Sequence, residues 1–183
     1  MTNATAEIAA ANYPLMRRLP VPNTASGGSI TPIWQMSSTP WEVCSPTTAP
    51  NWSGAAYFFA RNLFTNLNVP VGILQSAVNG TTAETRTSFE ALEAVPELKT
   101  MADQELEQYY EGNVVIGSTA TGLFNTMIWP LIPFGICGAI YYQGEANSTT
   151  SDRCQQYRVL LPAMIQDWRS RWQQADFPSY EGN

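Results

Sequence analysis

One succession constrains the fold of this chain more than any other feature: "SGAAYFFARNLFTNLN" (53–68) runs straight into "VPVGILQSA" (69–77). Ala56, Phe59, Leu63 and Leu67 recur at three and four residues, the period of a helix with one apolar face, and Ser53 stands where an N-cap belongs. The following run is aliphatic and of strand length, with Pro70 near its start. A helix that hands over directly to a buried strand predicts an α/β fold built on a parallel sheet.

The pattern returns further along. "FNTMIWPLIPF" (124–134), cut by Pro130 and Pro133, predicts a short helix that breaks at Trp129 and feeds a second buried strand, "GICGAIYYQ" (135–143). From Asp152 onward, Tyr157, Leu160, Leu161, Met164, Ile165, Trp168 and Trp172 share one helical stripe, which predicts a long amphipathic helix kinked at Pro162. "ADFPSY" (175–180) reads as the start of a further strand. Toward the N-terminus, "TAEIAAANY" (5–13) predicts a short helix capped by Thr5, and "LMRRLPV" (15–21) predicts a strand. Residues 22–52 carry so many prolines, glycines, serines and threonines that a long loop is expected there, with one short strand around Trp34. "ELKTMADQELEQYY" (97–110) is helical in pattern, and "VVIGS" (114–118) is too short to assign. A length of 183 residues with no repeat or linker predicts one domain, with the 69–77 and 137–143 strands in the same sheet.

Composition narrows the function. Fifteen acids against nine bases give a net charge of −6 with no basic run, so nothing here attracts phosphates and nucleic acid is not an expected partner. No apolar stretch reaches 18 residues, and Met1 is followed by the polar "TNATAE", so neither a membrane span nor a signal peptide is visible. Cys44, Cys137 and Cys154 lack metal-site spacing, no cofactor is implied, and Cys137 reads as a small buried hydrophobe. The absence of any histidine weighs most, because imidazole is the usual general base near neutral pH.

Two stretches place unusual residues at the ends of predicted strands, where open parallel sheets bind ligands. In "QSAVNGTTAE" (75–84), Gly80 follows a strand end among small polar residues; in "YYQGEAN" (141–147), Gln143, Gly144, Glu145 and Asn147 interrupt an apolar run. Each alone also fits an ordinary turn or a capped loop. Together they supply a backbone N–H and a side-chain amide of the kind that holds an oxyanion.

At this point "VPVGILQSAVNGTTAETRTSFEAL", "LFNTMIWPLIPFGICGAIYYQGEAN" and "YRVLLPAMIQDWRSRW" resemble blocks of sialate O-acetylesterase-like carbohydrate esterases of the SGNH hydrolase superfamily. The resemblance extends from "EIAAANYPLMRR" to "ADFP", and the Tyr-Gln-Gly-Glu-x-Asn block is its most specific part. It implies a flavodoxin-like three-layer α/β/α fold across residues 1–183, truncated at both ends. It also implies cleavage of O-acetyl groups from a carbohydrate, sialic acid or another acetylated sugar, by a serine nucleophile and a histidine base. Gly80 and Gln143 match the oxyanion donors and Glu145 an acid that orients the histidine, with Thr81, Glu84 and Asn147 on the substrate side. The family's Gly-Gln-Ser-Asn nucleophile block and its histidine are not found within these residues, and Ser76 has no histidine to activate it. An aromatic residue is common in the family where Arg86 stands, which leaves the pocket's shape open.

Other readings stand beside this one. The fold could serve as a carbohydrate-binding module, with Trp34, Trp41 and Trp52 as stacking platforms, or both blocks could be structural loops of an unrelated α/β protein. Asn3, Asn51, Asn79 and Asn147 fall in Asn-x-Ser/Thr sequons, which a chain of this composition forms readily by chance, and a glycan on Asn79 or Asn147 would block the cleft. Sequence fixes neither the compartment nor the oligomeric state.

Overall fold

Strand β1 (Tyr13–Pro20) organises the first part of the chain. The computed structural model describes residues 3–22, 32, 40–111, 119–174 and 177–181. These fall into two compact units, one drawn from Met1–Pro22 and Met36–Ala77, the other from Asn23–Gln35 and Val78–Asn183.

In the first unit β1 is flanked by β2 (Glu42–Cys44), antiparallel, and β3 (Val71–Gln75), parallel, in the order β2-β1-β3. The β1–β3 register is regular from Met16 opposite Val71 to Pro20 opposite Gln75, whereas the β1–β2 register slips between Tyr13 and Arg17. A parallel pair needs a long crossover, and helix α2 (Gly54–Leu67) is part of it. Ser53 caps that helix by accepting from the Ala56 N–H at 3.5 Å, as the sequence predicts, and Asn68 ends it in the left-handed conformation. The buried face differs from the predicted one by a residue: Tyr57 and Ala60 enter the core beside Ala11, Met16, Cys44 and Trp52, while Leu67 is exposed. Turning the helix this way buries the large Tyr57 ring in place of the Ala56 methyl, the better exchange of apolar area.

One charge is folded into this unit. Arg18 is 5% exposed and donates Nη2 to Glu42 Oε2 at 2.6 Å and Nη1 to the Asn51 carbonyl, with Gln75 Oε1 at 3.5 Å. Gln75 Oε1 also accepts from the Ser53 N–H at 2.9 Å, so one amide ties β3 to the cap of α2. Helix α1 (Ala4–Ala10) begins just before the predicted cap Thr5, behind a left-handed Asn3, and its Glu7 pairs with Arg61. A partly open cavity of about 170 Å³, lined by Glu7, Ile8, Pro50, Trp52 and Tyr57 among others, contains none of the site residues expected from sequence.

The second unit is built around helix α5 (Ser151–Trp172), capped by Thr150, which accepts from the Arg153 N–H at 3.2 Å. Leu160 and Met164 of α5 meet Ala83, Leu92, Leu98, Met101 and Ala102 in one core. Of these, Leu92 belongs to α3 (Phe89–Glu93), and Met101 and Ala102 to α4 (Lys99–Tyr110). The 124–134 segment does break at Trp129: a wide π-helical turn, Phe124–Ile128, tightens into a 3₁₀ turn, Trp129–Leu131, containing Pro130. Strand β4 (Ala139–Tyr141) lies parallel to β5 (Ser179–Glu181), with α5 in the crossover between them.

Two expectations are corrected. The 69–77 and 137–143 runs do not share a sheet: β3 pairs with β1, β4 pairs with β5, and no strand among the described residues joins the two ladders. Cys137 is exposed, because only Ala139–Tyr141 of the predicted run is paired and the segment ahead of it, with Gly135 and Gly138, is not strand. Among its described residues the long loop carries a short strand, β2, at Glu42–Cys44; the strand expected around Trp34 and the 114–118 run lie outside the described residues. Among the described residues no helix is long and apolar enough to cross a membrane.

Candidate active site

The residues expected from "QSAVNGTTAE" and "YYQGEAN" meet in the second unit. Gly80 occupies a turn with φ +74°, a conformation that favours glycine, and a Cβ built there would meet nothing within 4 Å. It is exposed, and its N–H donates to no protein acceptor among the described residues. Thr81, the next residue, is buried, and its Oγ1 donates to the Val78 carbonyl at 2.8 Å. The 3₁₀ turn Ala83–Arg86 that follows is buried at all four positions.

Gln143, two residues beyond β4, reaches this loop directly. Its Nε2 donates to the Thr81 carbonyl at 3.2 Å and to Asn147 Oδ1 at 2.7 Å, while its Oε1 accepts from the Tyr141 hydroxyl at 3.0 Å. Tyr157 of α5 donates its hydroxyl to the Gln143 carbonyl at 2.9 Å. Every polar group of the Gln143 amide therefore has a protein partner, and the side chain is fixed in position.

Asn147 is the hub. It is 1% exposed, at the end of the 3₁₀ turn Glu145–Asn147. Its Oδ1 accepts from the Ala83 N–H at 2.8 Å as well as from Gln143, and its Nδ2 donates to Glu84 Oε2 at 2.8 Å. Because the Ala83 N–H is only ever a donor, the orientation of the Asn147 amide follows from chemistry. The other oxygen of Glu84 accepts from Arg153 Nη2 at 2.7 Å. With Asn147 sealed from solvent, its sequon is closed to a glycan in this fold. Glu145, by contrast, is exposed, and its carboxylate has no hydrogen-bond partner among the described residues.

Arg86 is 6% exposed. Its Nη1 donates to Thr81 Oγ1 at 2.6 Å and lies 3.5 Å from Thr85 Oγ1. Burial pushes the guanidinium below its ordinary pKa, and the nearby Tyr141 works in the opposite direction. Among the described residues no group of three or more metal-ligating side chains could hold an ion.

Sequence reasoning missed Arg153 and Tyr157. Arg153 left a signal: it stands in the first turn of α5, where the helix dipole disfavours a cation, so its presence there called for a specific acidic partner. Of the tryptophans considered as sugar platforms, Trp52 is buried at 6% exposure, and Trp41, 40% exposed, rests its ring 3.4 Å from the position a Cβ on Gly72 would take.

This mixed α/β fold is similar to that of a carbohydrate acetylesterase from Xanthomonas citri, with a TM-score of 0.79 and 28% identity over 98% of this chain and 36% of that one. In sequence the chain is similar to sialate O-acetylesterases: 32% identical to the Homo sapiens protein over 119 residues and 30% identical to the Mus musculus protein over 137. Each match covers 64% of this chain, which spans 21% of the human and 25% of the mouse relative. No family model matches the chain.

Proposed function

We propose that this chain is part of a carbohydrate O-acetylesterase that removes acetyl groups from sialic acid or another acetylated sugar, and that residues 1–183 carry the oxyanion side of its active site. The observation that carries this reading is the direct bond from the Gln143 amide to the Gly80–Thr81 loop, in a chain similar along nearly its whole length to a carbohydrate acetylesterase. The fold class that goes with this reading is the three-layer α/β/α arrangement of the SGNH kind.

With no histidine in the chain, the serine nucleophile and histidine base come from outside it. The serine Oγ attacks the acetyl carbonyl carbon while the histidine takes its proton, and the carbonyl electron pair becomes an oxyanion. Gly80 N–H and Gln143 Nε2 stabilise that charge. The sugar hydroxyl then leaves with the histidine's proton, and water repeats the sequence to free acetate. Glu145 accepts from the imidazole and stabilises its charged form. Thr81, Glu84 and Asn147 shape the substrate side by holding the loop around Gly80. The binding-module alternative is less well supported, because Trp52 is buried.

The test has two parts. Residues 1–183 alone should hydrolyse aryl acetates only at background rate, and turnover abolished by Ser76→Ala would put the nucleophile inside this chain instead. In the complete protein, Gln143→Ala should lower kcat by about 10²–10³, roughly 2.7–4 kcal/mol, with little change in KM. A rise in KM alone would make Gln143 a substrate-binding amide and end the oxyanion assignment.

A further inference from the structure

The second unit buries a positive charge that no carboxylate pairs with among the described residues. Arg86 is 6% exposed, and among the described residues its acceptors are the neutral hydroxyl oxygens of Thr81 and Thr85, both reached through Nη1. The carboxylate of its own turn, Glu84, and Asp167 on α5 are committed elsewhere. Glu84 binds Arg153 and Asn147, while Asp167 accepts from the Ser88 N–H at 3.0 Å and from Arg171 Nε at 2.7 Å. Both threonine hydroxyls in turn donate away from Arg86, to the Val78 and Thr82 carbonyls, so their oxygens are oriented to receive its hydrogens but carry no charge to balance it.

An arginine stays protonated at any ordinary pH, so the cost of desolvating this one is not relieved by loss of its proton. Buried charges are normally paired, and an unpaired one is among the least favourable features a core can hold. The two remaining nitrogens share one edge of the guanidinium plane: Nε and Nη2 have no protein acceptor among the described residues, and neither atom is fully buried. That edge is the one that grips a carboxylate through two parallel N–H···O bonds. The backbone behind it is fixed, because Trp168 Nε1 donates to the Arg86 carbonyl at 3.0 Å.

We infer that the free Nε/Nη2 edge of Arg86 is a binding subsite for a single small carboxylate, on a guanidinium whose remaining nitrogen, Nη1, is anchored to the hydroxyl of Thr81. Two sources fit that chemistry: free acetate, which ester hydrolysis releases, and a carboxylate borne by the sugar itself. Naming acetate as a product and the sugar as a substrate both rest on the esterase reading, whereas the carboxylate subsite itself does not. Binding is measured without turnover, so the subsite and the esterase chemistry fail separately.

The experiment is thermal unfolding of the 183-residue chain in sodium acetate, sodium glucuronate or sodium chloride at matched ionic strength, with transverse relaxation of the acetate methyl protons as a second readout. At ten times its Kd the preferred carboxylate should raise Tm by about 3–6 °C above the chloride control. Arg86→Met should abolish that difference, and Arg86→Lys, which keeps the charge but loses the fork, should weaken it. A rise with acetate identifies the free acid as the ligand; a rise with glucuronate alone identifies the sugar-borne acid. If neither salt exceeds chloride and the methyl relaxation is unchanged by wild-type protein, the inference is wrong whether or not the variants fold. An equal rise in Arg86→Met also overturns it.

Discussion

Removing the Asn147 amide tests whether the buried network holds the site together or merely fills space. In Asn147→Ala three bonds vanish at once: to the Ala83 N–H at 2.8 Å, to Gln143 Nε2 at 2.7 Å and to Glu84 Oε2 at 2.8 Å. The Ala83 N–H lies in a fully buried turn and finds no replacement, which costs about 1–3 kcal/mol, and a lost bond to a carboxylate is worth about 1.5–3 kcal/mol. Glu84 keeps Arg153, and Gln143 keeps Thr81 and Tyr141, so the sum is partly offset. A loss of about 2–4 kcal/mol follows, measured as a lower urea midpoint by circular dichroism at unchanged m. Asn147→Asp separates geometry from charge. The carboxylate still accepts from Ala83 and Gln143 but now faces Glu84, and two carboxylates in contact raise the folded pKa of one of them above its unfolded value of about 4. A raised carboxyl pKa means the folded state holds its proton more tightly, so the variant gains stability at acid pH and loses it as pH rises through the raised value. Stability of Asn147→Ala within 1 kcal/mol of wild type, or an Asn147→Asp variant with the wild-type pH profile, would refute the network as described.

Two further outcomes test the fold itself. In the native protein Cys137 should react with a thiol reagent at the rate of an exposed side chain, whereas Cys44, buried and with its thiol pKa pushed up by desolvation, should react only as the chain unfolds; mass spectrometry of the labelled peptides reads both. Glu42→Gln should destabilise the first unit by about 1–2 kcal/mol, less than for a fully buried pair because Glu42 is partly exposed and Arg18 retains the Asn51 carbonyl, and a two-probe denaturant curve would show it.

Local signals in the sequence were read well where a single side chain decides the backbone. Ser53 starts α2, and the proline pair around Ile132 shortens the helix ahead of it. The "ADFPSY" run does lead into β5. What failed depended on partners distant in sequence. The buried stripe of α2 differed by one residue because Tyr57 finds Trp52, Tyr13 and Phe58 around its ring, which no periodicity reveals. The single-sheet expectation failed because apolar content marks a strand but does not name its neighbour. In the candidate site, two odd strand ends drew attention to the Gly80 loop and to Gln143, but their meeting through the Thr81 carbonyl is a tertiary fact that the sequence does not contain. The burial of Glu84, Arg86 and Asn147 was not legible, since each is polar and only the tertiary network removes it from water.

The geometry of Gln143 bears on how an oxyanion would be met. Its two amide hydrogens are both engaged, at 2.7 Å to Asn147 Oδ1 and at 3.2 Å to the Thr81 carbonyl. The longer bond is the one to yield, because a charged acceptor outcompetes a neutral carbonyl by about twofold in strength. Three contacts survive that exchange: Tyr141 on Oε1, Asn147 on Nε2, and Tyr157 on the main-chain carbonyl. They hold the amide plane still while one hydrogen changes partner, so the side chain need not be ordered again when charge develops. Under the proposed reading, then, the network centred on Asn147 matters to catalysis chiefly because it fixes a donor in advance, which is the condition for electrostatic stabilisation to act on the transition state rather than on the bound substrate.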